Sequence, residues 1–261
     1  MTETDLFAEV VRETVELVKR SGQGPKGVIT VSPDVAALLD RVRTASAPLQ
    51  APSGASDAPP STPQDTASAV AAAASLDEVA RLVGACQRCG LQATRKTTVP
   101  GAGNQSADIV FVGEAPGEEE DRQGLPFVGR AGQLLTDIIE KGMKLRREDV
   151  FICNVLKCRP PDNRDPNPEE VRCCEPYLLR QLELIQPKVI CALGRHAAQT
   201  LLKTTESTGK LRGRWHRYHD IPLRVTYHPA YLLRSPAEKR KAWEDVKEIL
   251  KLLHGQENSG S

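Results

Sequence analysis

The stretch Asp108-Ile-Val-Phe-Val-Gly-Glu-Ala-Pro-Gly117 decides the fold. Residues 108–112 are a short apolar run of strand length, closed by a glycine. The loop that follows places Glu114 just beyond the strand's carboxyl end. An acidic run, Glu118-Glu-Glu-Asp121, comes next, then the Gly- and Pro-punctuated segment Gly124-Leu-Pro-Phe-Val-Gly129.

Working outward, three more apolar runs repeat the first: Val150–Val155, Lys188–Leu193 and Leu223–Tyr227. Helical patterns separate them at Ala131–Lys141, Pro168–Ile185 and Arg195–Leu202, and a last one covers Pro236–Leu253. Upstream, Ser75 caps a helix, Glu78 completes a capping box, and Leu76, Val79, Leu82 and Val83 supply the core stripe. Strands alternating with helices predict a three-layer α/β/α domain around a central four-stranded parallel sheet. In such sheets the ligand crevice lies beyond the carboxyl ends of the strands. Three strand ends carry unusual residues: Glu114 on the first, Asn154, Lys157 and Cys158 on the second, and His228-Pro-Ala-Tyr231 on the fourth.

The chain has 261 residues, and the domain so defined spans 76–254. Thr4–Arg20 reads as an amphipathic helix and Pro33–Val42 as a second, capped by Ser32, giving an N-terminal helical extension over 1–43. Residues 44–75, rich in Ala, Pro, Ser and Thr, read as a disordered linker whose end, Ala67–Ala74, is able to run on into the next helix. Residues 255–261 read as a flexible tail. Met1–Glu9 lacks the apolar segment of a secretory signal, and no stretch of about twenty apolar residues exists to span a membrane. A reducing, cytoplasmic setting is expected, where clustered cysteines are metal ligands rather than disulfides.

Seven cysteines are present. Cys86 and Cys89 form a Cys-x-x-Cys, and Cys158 and Cys174, with fifteen residues between them, lie beyond the second strand. Two-residue spacing lets two thiolates converge on one centre, and two more complete a four-sulfur site. Spacing alone leaves zinc and iron–sulfur both open, and leaves Cys173 as a substitute for Cys174. Cys153 and Cys191 lie in apolar strands and read as buried core thiols.

Several separated motifs in order carry a resemblance. They are Gly113-Glu-Ala-Pro-Gly117 with Glu120-Asp121, Gly124-Leu-Pro-Phe-Val-Gly-Arg-Ala-Gly132, Asn154-Val-Leu-Lys-Cys-Arg-Pro-Pro161, Cys174-Glu-Pro-Tyr-Leu178 and His228-Pro-Ala-Tyr231. Together they resemble the family 4 uracil-DNA glycosylases, iron–sulfur members of the uracil glycosylase superfamily. The resemblance covers roughly Ser75 to Leu253.

It implies a monofunctional repair glycosylase that flips uracil out of single- or double-stranded DNA and hydrolyses its N-glycosidic bond, leaving an abasic site. Cys86, Cys89, Cys158 and Cys174 match the four ligands of a 4Fe–4S cluster. Asn154 matches the residue that reads uracil, Phe127 the aromatic that stacks on the flipped base, and Glu120 the residue that crowds the C5 position against thymine. Ala115 and Gly117 offer backbone N–H contacts. His228 matches the donor to the leaving base's O2, and Glu114 the acid that orients or activates the attacking water. Tyr231, Leu232 and Leu233 are wedge candidates, with Arg234, Arg212 and Arg214 on backbone phosphates. A covalently trapping relative inserts a basic loop, and no such insertion lies between Gly129 and Asp149.

Charge agrees with a polyanionic partner. Residues 195–241 hold 11 basic and 3 acidic side chains, an excess that attracts phosphate backbones. A monomer on uracil-containing DNA is expected, nucleoid-associated, with the acidic N-terminal extension a docking element for a protein partner. The rival reading is a non-catalytic iron–sulfur DNA-binding module.

Overall fold

The computed structural model describes residues 63–255. The expected helices at Thr4–Arg20 and Pro33–Val42 lie outside them. Four parallel strands form the centre of the sheet: β2 (Ile109–Gly113), β3 (Phe151–Asn154), β4 (Val189–Leu193) and β6 (Ile221–Thr226). Two short antiparallel strands extend it at the edges, β1 (Ala102–Gly103) beside β3 and β5 (Trp215–Tyr218) beside β6, giving the order β1-β3-β2-β4-β6-β5. The sheet is therefore six-stranded and mixed, with the expected parallel four at its heart.

β2, β3 and β4 are buried along their whole length because helices cover both faces. On one face Val110, Val112, Cys153, Ile190, Ala192 and Val225 pack under α5 (Pro168–Ile185) and α6 (Arg195–Leu202). On the other, Ile109, Phe111, Ile152, Val189 and Cys191 meet α4 (Arg130–Asp137), the π-helical turn Ile138–Met143 that continues it, and α9 (Lys239–Gly255). Cys153 and Cys191 are fully buried, as expected of core thiols. Connections from β2 and β3 leave to opposite faces, which opens a crevice at the carboxyl rim.

One boundary is corrected. The expected linker does not run to Ser75: Pro63–Ala72 is a helix, α1, distinct from α2 (Leu76–Gly84). Val70 and Ala73 are buried with Val79, Leu82, Val83 and Tyr177. Arg180 clamps the turn, its Nε and Nη2 donating to the Ala73 carbonyl at 2.9 and 2.7 Å. Ser75 Oγ accepts from Glu78 N at 3.2 Å, while the Glu78 carboxylate reaches back to Ala74 N rather than Ser75 N. Among the described residues no helix is long and apolar enough to cross a membrane.

Candidate functional site

The carboxyl rim holds a cleft of about 470 Å3. Its walls bring together Glu114, Ala115, Gly117, Glu120, Phe127 and Asn154, with His228 and Arg234 opposite. Seven of them were expected at the base pocket and Arg234 on backbone phosphate, and four separate chain segments deliver them. Registry explains the closest approach: β2 and β3 pair in parallel with Gly113 beside Asn154. A Cβ on Gly113 would stand 2.3 Å from Asn154 Oδ1 and 2.6 Å from Phe127 Cζ, so only glycine admits both side chains.

Asn154 is 1% exposed, and its Oδ1 has no hydrogen-bond partner among the described residues. A buried acceptor without a donor costs about 1–3 kcal/mol. Its main chain, in contrast, is firmly held: the fully buried Lys157 donates from Nζ to Asn154 O at 2.8 Å and to Gln181 Oε1 of α5 at 2.6 Å.

Phe127 carries a positive φ of 52°, a conformation that costs a bulky residue about 1–3 kcal/mol unless its surroundings fix it. Glu120, on α3 (Glu118–Gln123), supplies part of that fixing. One carboxylate oxygen accepts from Val128 N and Gly129 N at 2.9 and 3.0 Å, the other from Gly117 N at 3.1 Å. Arg147 Nη2 donates to Pro126 O and Phe127 O. Glu120 thus lines the cleft as a rigid clasp between the loop after β2 and the Phe127 loop. Gly117 N–H is consumed in this clasp, which leaves Ala115 N–H as the loop's main-chain donor.

His228 caps α8 (Pro229–Arg234), its Nδ1 accepting from Ala230 N at 3.1 Å. The neutral ring therefore carries its proton on Nε2. Burial, then the positive charge of Arg234, lowers its pKa to about 4, against a smaller opposing effect of Glu120. The ring stands 5.6 Å from that of Phe127 at 34°. Gly194, at φ 87°, makes room for it, since a Cβ there would meet His228 Cβ at 2.8 Å. Burial raises the pKa of Glu114.

Three of the residues expected on DNA are placed differently. Leu232 is 1% exposed and packs inward, so the exposed pair on α8 is Tyr231 and Leu233. Arg212 is engaged within the fold: Nε donates to the fully buried Asp245 at 2.9 Å, Nη2 to Lys241 O, and the guanidinium lies over Tyr227. Tyr227 in turn packs on Tyr231 with centroids 5.1 Å apart. Arg212 thus supports an exposed aromatic from behind. Arg214 pairs with Glu206 at 2.9 Å on the surface. Arg234 is exposed and lines the cleft.

The cleft also includes residues not anticipated. Pro160, Asn163 and Arg164 line it from the loop before α5. That loop is pinned by the Arg164–Glu170 pair, at 3.0 and 2.6 Å, and by Asn167 N on Glu170 Oε2. The consecutive Pro160 and Pro161 are the sequence signal for a rigid turn here, though not for its direction.

A second cavity, behind the rim, is lined by Cys86, Cys89, Cys158, Cys173 and Cys174 with Arg88, Arg95 and Lys157. Cys174 is 3% exposed, and burial raises its pKa to about 12. Cys173 is less buried, and its thiol donates to Arg88 O at 3.2 Å. Arg95 donates to Cys158 Sγ at 3.2 Å and to Cys86 O at 2.8 Å. Asp121 accepts from Lys96 N and Thr97 N, tying the segment after the cysteine pair to α3.

Comparison with known proteins now decides the family. The profile of the Uracil DNA glycosylase superfamily matches residues 100–247. The chain is 47% identical over 186 residues to a type-4 uracil-DNA glycosylase of Saccharolobus solfataricus, covering 68% of this chain and 86% of that protein. The chain belongs to the uracil-DNA glycosylase superfamily, in its type-4 branch. The type-4 enzyme of Archaeoglobus fulgidus is also 47% identical, over 185 residues, or 67% of this chain and 92% of that one. That of Thermotoga maritima is 46% identical over 177 residues, 66% and 91%. About a third of this chain lies outside each alignment.

Proposed function

We propose that this uracil-DNA glycosylase draws uracil out of DNA into the rim cleft and hydrolyses its N-glycosidic bond, leaving an abasic site. The observation that carries this reading is the orphaned, buried Asn154 Oδ1 beside the Phe127 ring. Uracil presents N3–H to that oxygen and O4 to the amide NH2. Cytosine presents an acceptor and a donor at those places, and its entry would leave both pairs unmatched in a dry pocket. Phe127 stacks on the base, and the clasped Glu120 forms an unyielding wall at C5.

As the bond to C1′ lengthens, negative charge builds on uracil O2. His228 donates to it from Nε2–H, already neutral and already oriented by Ala230 N, so no reorganisation is needed at that moment. Glu114 stands at the sugar side, where a carboxylate both steadies an oxocarbenium-like C1′ and takes a proton from the attacking water. Extrusion costs a few kcal/mol of unstacking, offset by the pocket and by Tyr231, Leu233 and Arg234 on the DNA.

Cys86, Cys89, Cys158 and Cys174 would hold the 4Fe–4S cluster. The donor set fits such a group. Lys157 is fully buried without a carboxylate partner among the described residues; burial lowers its pKa, and an anionic four-thiolate centre would offset that by balancing its charge. Among the described residues, no three thiols lie within 4.8 Å of one another, wider than the ~3.8 Å sulfur separation that a tetrahedral zinc with 2.3 Å bonds requires. Bound, the cluster supplies a cross-link between the segment after α2, the end of β3 and α5.

The test is release of uracil from a uracil-containing oligonucleotide, read as alkali-induced strand scission, on protein of measured iron content. Product is expected without added metal or nucleotide. Binding without release by iron-replete protein would return the reading to a non-catalytic DNA-binding module.

A further inference from the structure

Glu114 stands between two cavities. One is the base cleft; the other, of about 450 Å3, opens on its far flank and is lined by Asp165, Arg195 and His196 among others. Carboxylate and imidazole atoms of Glu114, Asp165 and His196 lie within 4.8 Å of one another, the one such triple among the described residues. Asp165 comes from the loop before α5, and Arg195 and His196 from the first turn of α6.

The contacts within this group suit a ring that gains and loses a proton. His196 Nε2 lies 3.1 Å from Asp165 Oδ1 and 2.8 Å from Arg195 Nη2, which also donates to Asp165 Oδ2 at 3.1 Å. With a proton on Nε2 the ring donates to Asp165; without it, Nε2 accepts from Arg195. Nε2 thus has one hydrogen-bond partner in either state, Asp165 or Arg195. Asp165 is exposed and His196 half-buried, so the pair spans from Glu114 to solvent.

We propose that Asp165 and His196 are positioning residues for the hydrolysis, holding an imidazole against Glu114 and passing the proton of the attacking water to solvent. The inference rests on Glu114 acting on that water. The water oxygen bonds C1′ as the C1′–N1 bond breaks, and that bond's electron pair leaves with uracil. One water proton moves to the Glu114 carboxylate, then through a bridging water to His196 Nε2, and then to bulk solvent; the uracil anion takes a proton from solvent. The bridge is needed because carboxylate and imidazole lie within 4.8 Å but share no direct hydrogen bond. Glu114 returns to its ionised form for the next turnover.

The electrostatics give the pair opposite signs. Burial raises the Glu114 pKa most, a protonated His196 lowers it, Asp165 raises it, and Arg195 lowers it. The other charged and titratable groups around it are Arg164, Glu120 of α3, and His228 and Arg234 of α8. Single-turnover excision measured between about pH 4 and 9 tests the arrangement. The rate should fall on the acid side as Glu114 protonates. His196→Gln removes a cation and should move that limb up by about half a pH unit or more; Asp165→Asn removes an anion and should move it down. Imidazole in the buffer should restore His196→Ala towards the wild-type rate. Limbs that coincide with wild type, or move the same way in both variants, overturn the proposal. Glu114→Gln at the wild-type rate would instead overturn the role given to Glu114 itself.

Discussion

Replacing Asn154 by leucine separates recognition from folding in one variant. In the free protein, Oδ1 is buried without a partner, so the near-isosteric Leu removes a penalty of about 1–3 kcal/mol and breaks no side-chain hydrogen bond of the fold. The bond from Lys157 goes to the main-chain carbonyl and is retained. Stability should therefore hold or rise by up to about 2 kcal/mol, which at about 2–4 °C per kcal/mol for a domain of this size is a Tm gain of zero to about 8 °C. On the proposed function, the same change leaves uracil N3–H and O4 without their partner in the complex. Two unpaired groups at about 1–3 kcal/mol each give about 2–6 kcal/mol, a loss in rate centred near 10³-fold. Thermal unfolding of iron-replete protein and single-turnover excision give the two numbers. A variant that melts several degrees lower would show that Asn154 holds the fold rather than the base. One that excises uracil within about threefold of wild type would show that it is not the reader.

Other consequences are as direct. Cys174→Ala should lose iron and the broad absorption near 400 nm expected of such a cluster, whereas Cys173→Ala should keep both; iron analysis decides between the adjacent thiols. Arg212→Ala should cost about 2–4 kcal/mol, because Asp245 is left buried with Arg224 as its remaining cation. Arg234→Ala should instead leave Tm unchanged and lower the salt dependence of DNA binding by about one phosphate contact. For His228, the folded pKa of about 4 lies below the ordinary 6.5. The unfolded chain therefore binds the extra proton between those values, and stability present above about pH 6.5 is lost as pH falls towards 4, by at most about 3 kcal/mol. His228→Gln should flatten that part of a urea-denaturation profile.

The central sheet was legible because β2, β3 and β4 are unbroken apolar runs closed by Gly or Asn, and because α5 and α6 begin and end where proline, glycine and polar residues say they should. β6, interrupted by Pro222 and Arg224, was legible only from Leu223 onward. The edge strands were not. β1 is two residues long, below any periodicity, and the β5–β6 hairpin turns on His219 and Asp220 at positive φ, without the Asn-Gly or Asp-Gly that announces such a turn. α1 was legible only in its Ala-rich end, because an Ala-rich, Ser- and Thr-containing segment has no hydrophobic stripe of its own; Val70 and Ala73 gain meaning against Tyr177. Motif order brought Glu114, Ala115, Gly117, Glu120, Phe127, Asn154 and His228 together, but not Pro160, Asn163 and Arg164, which line the same cleft. Side-chain direction lay beyond it. Nothing local says that Leu232 turns in while Leu233 turns out, or that Arg212 meets an aspartate 33 residues downstream. Asp165 and His196, 31 residues apart, become neighbours through the parallel crossover alone.

Lys157 joins two parts of the molecule that would otherwise be independent. Its Nζ grips the carbonyl of Asn154 and the Gln181 side chain of α5, the helix that also bears Cys174. On the proposed function, Lys157 would couple a cluster held at Cys174 to the placing of the Asn154 amide. Specific activity should then be counted per cluster rather than per polypeptide.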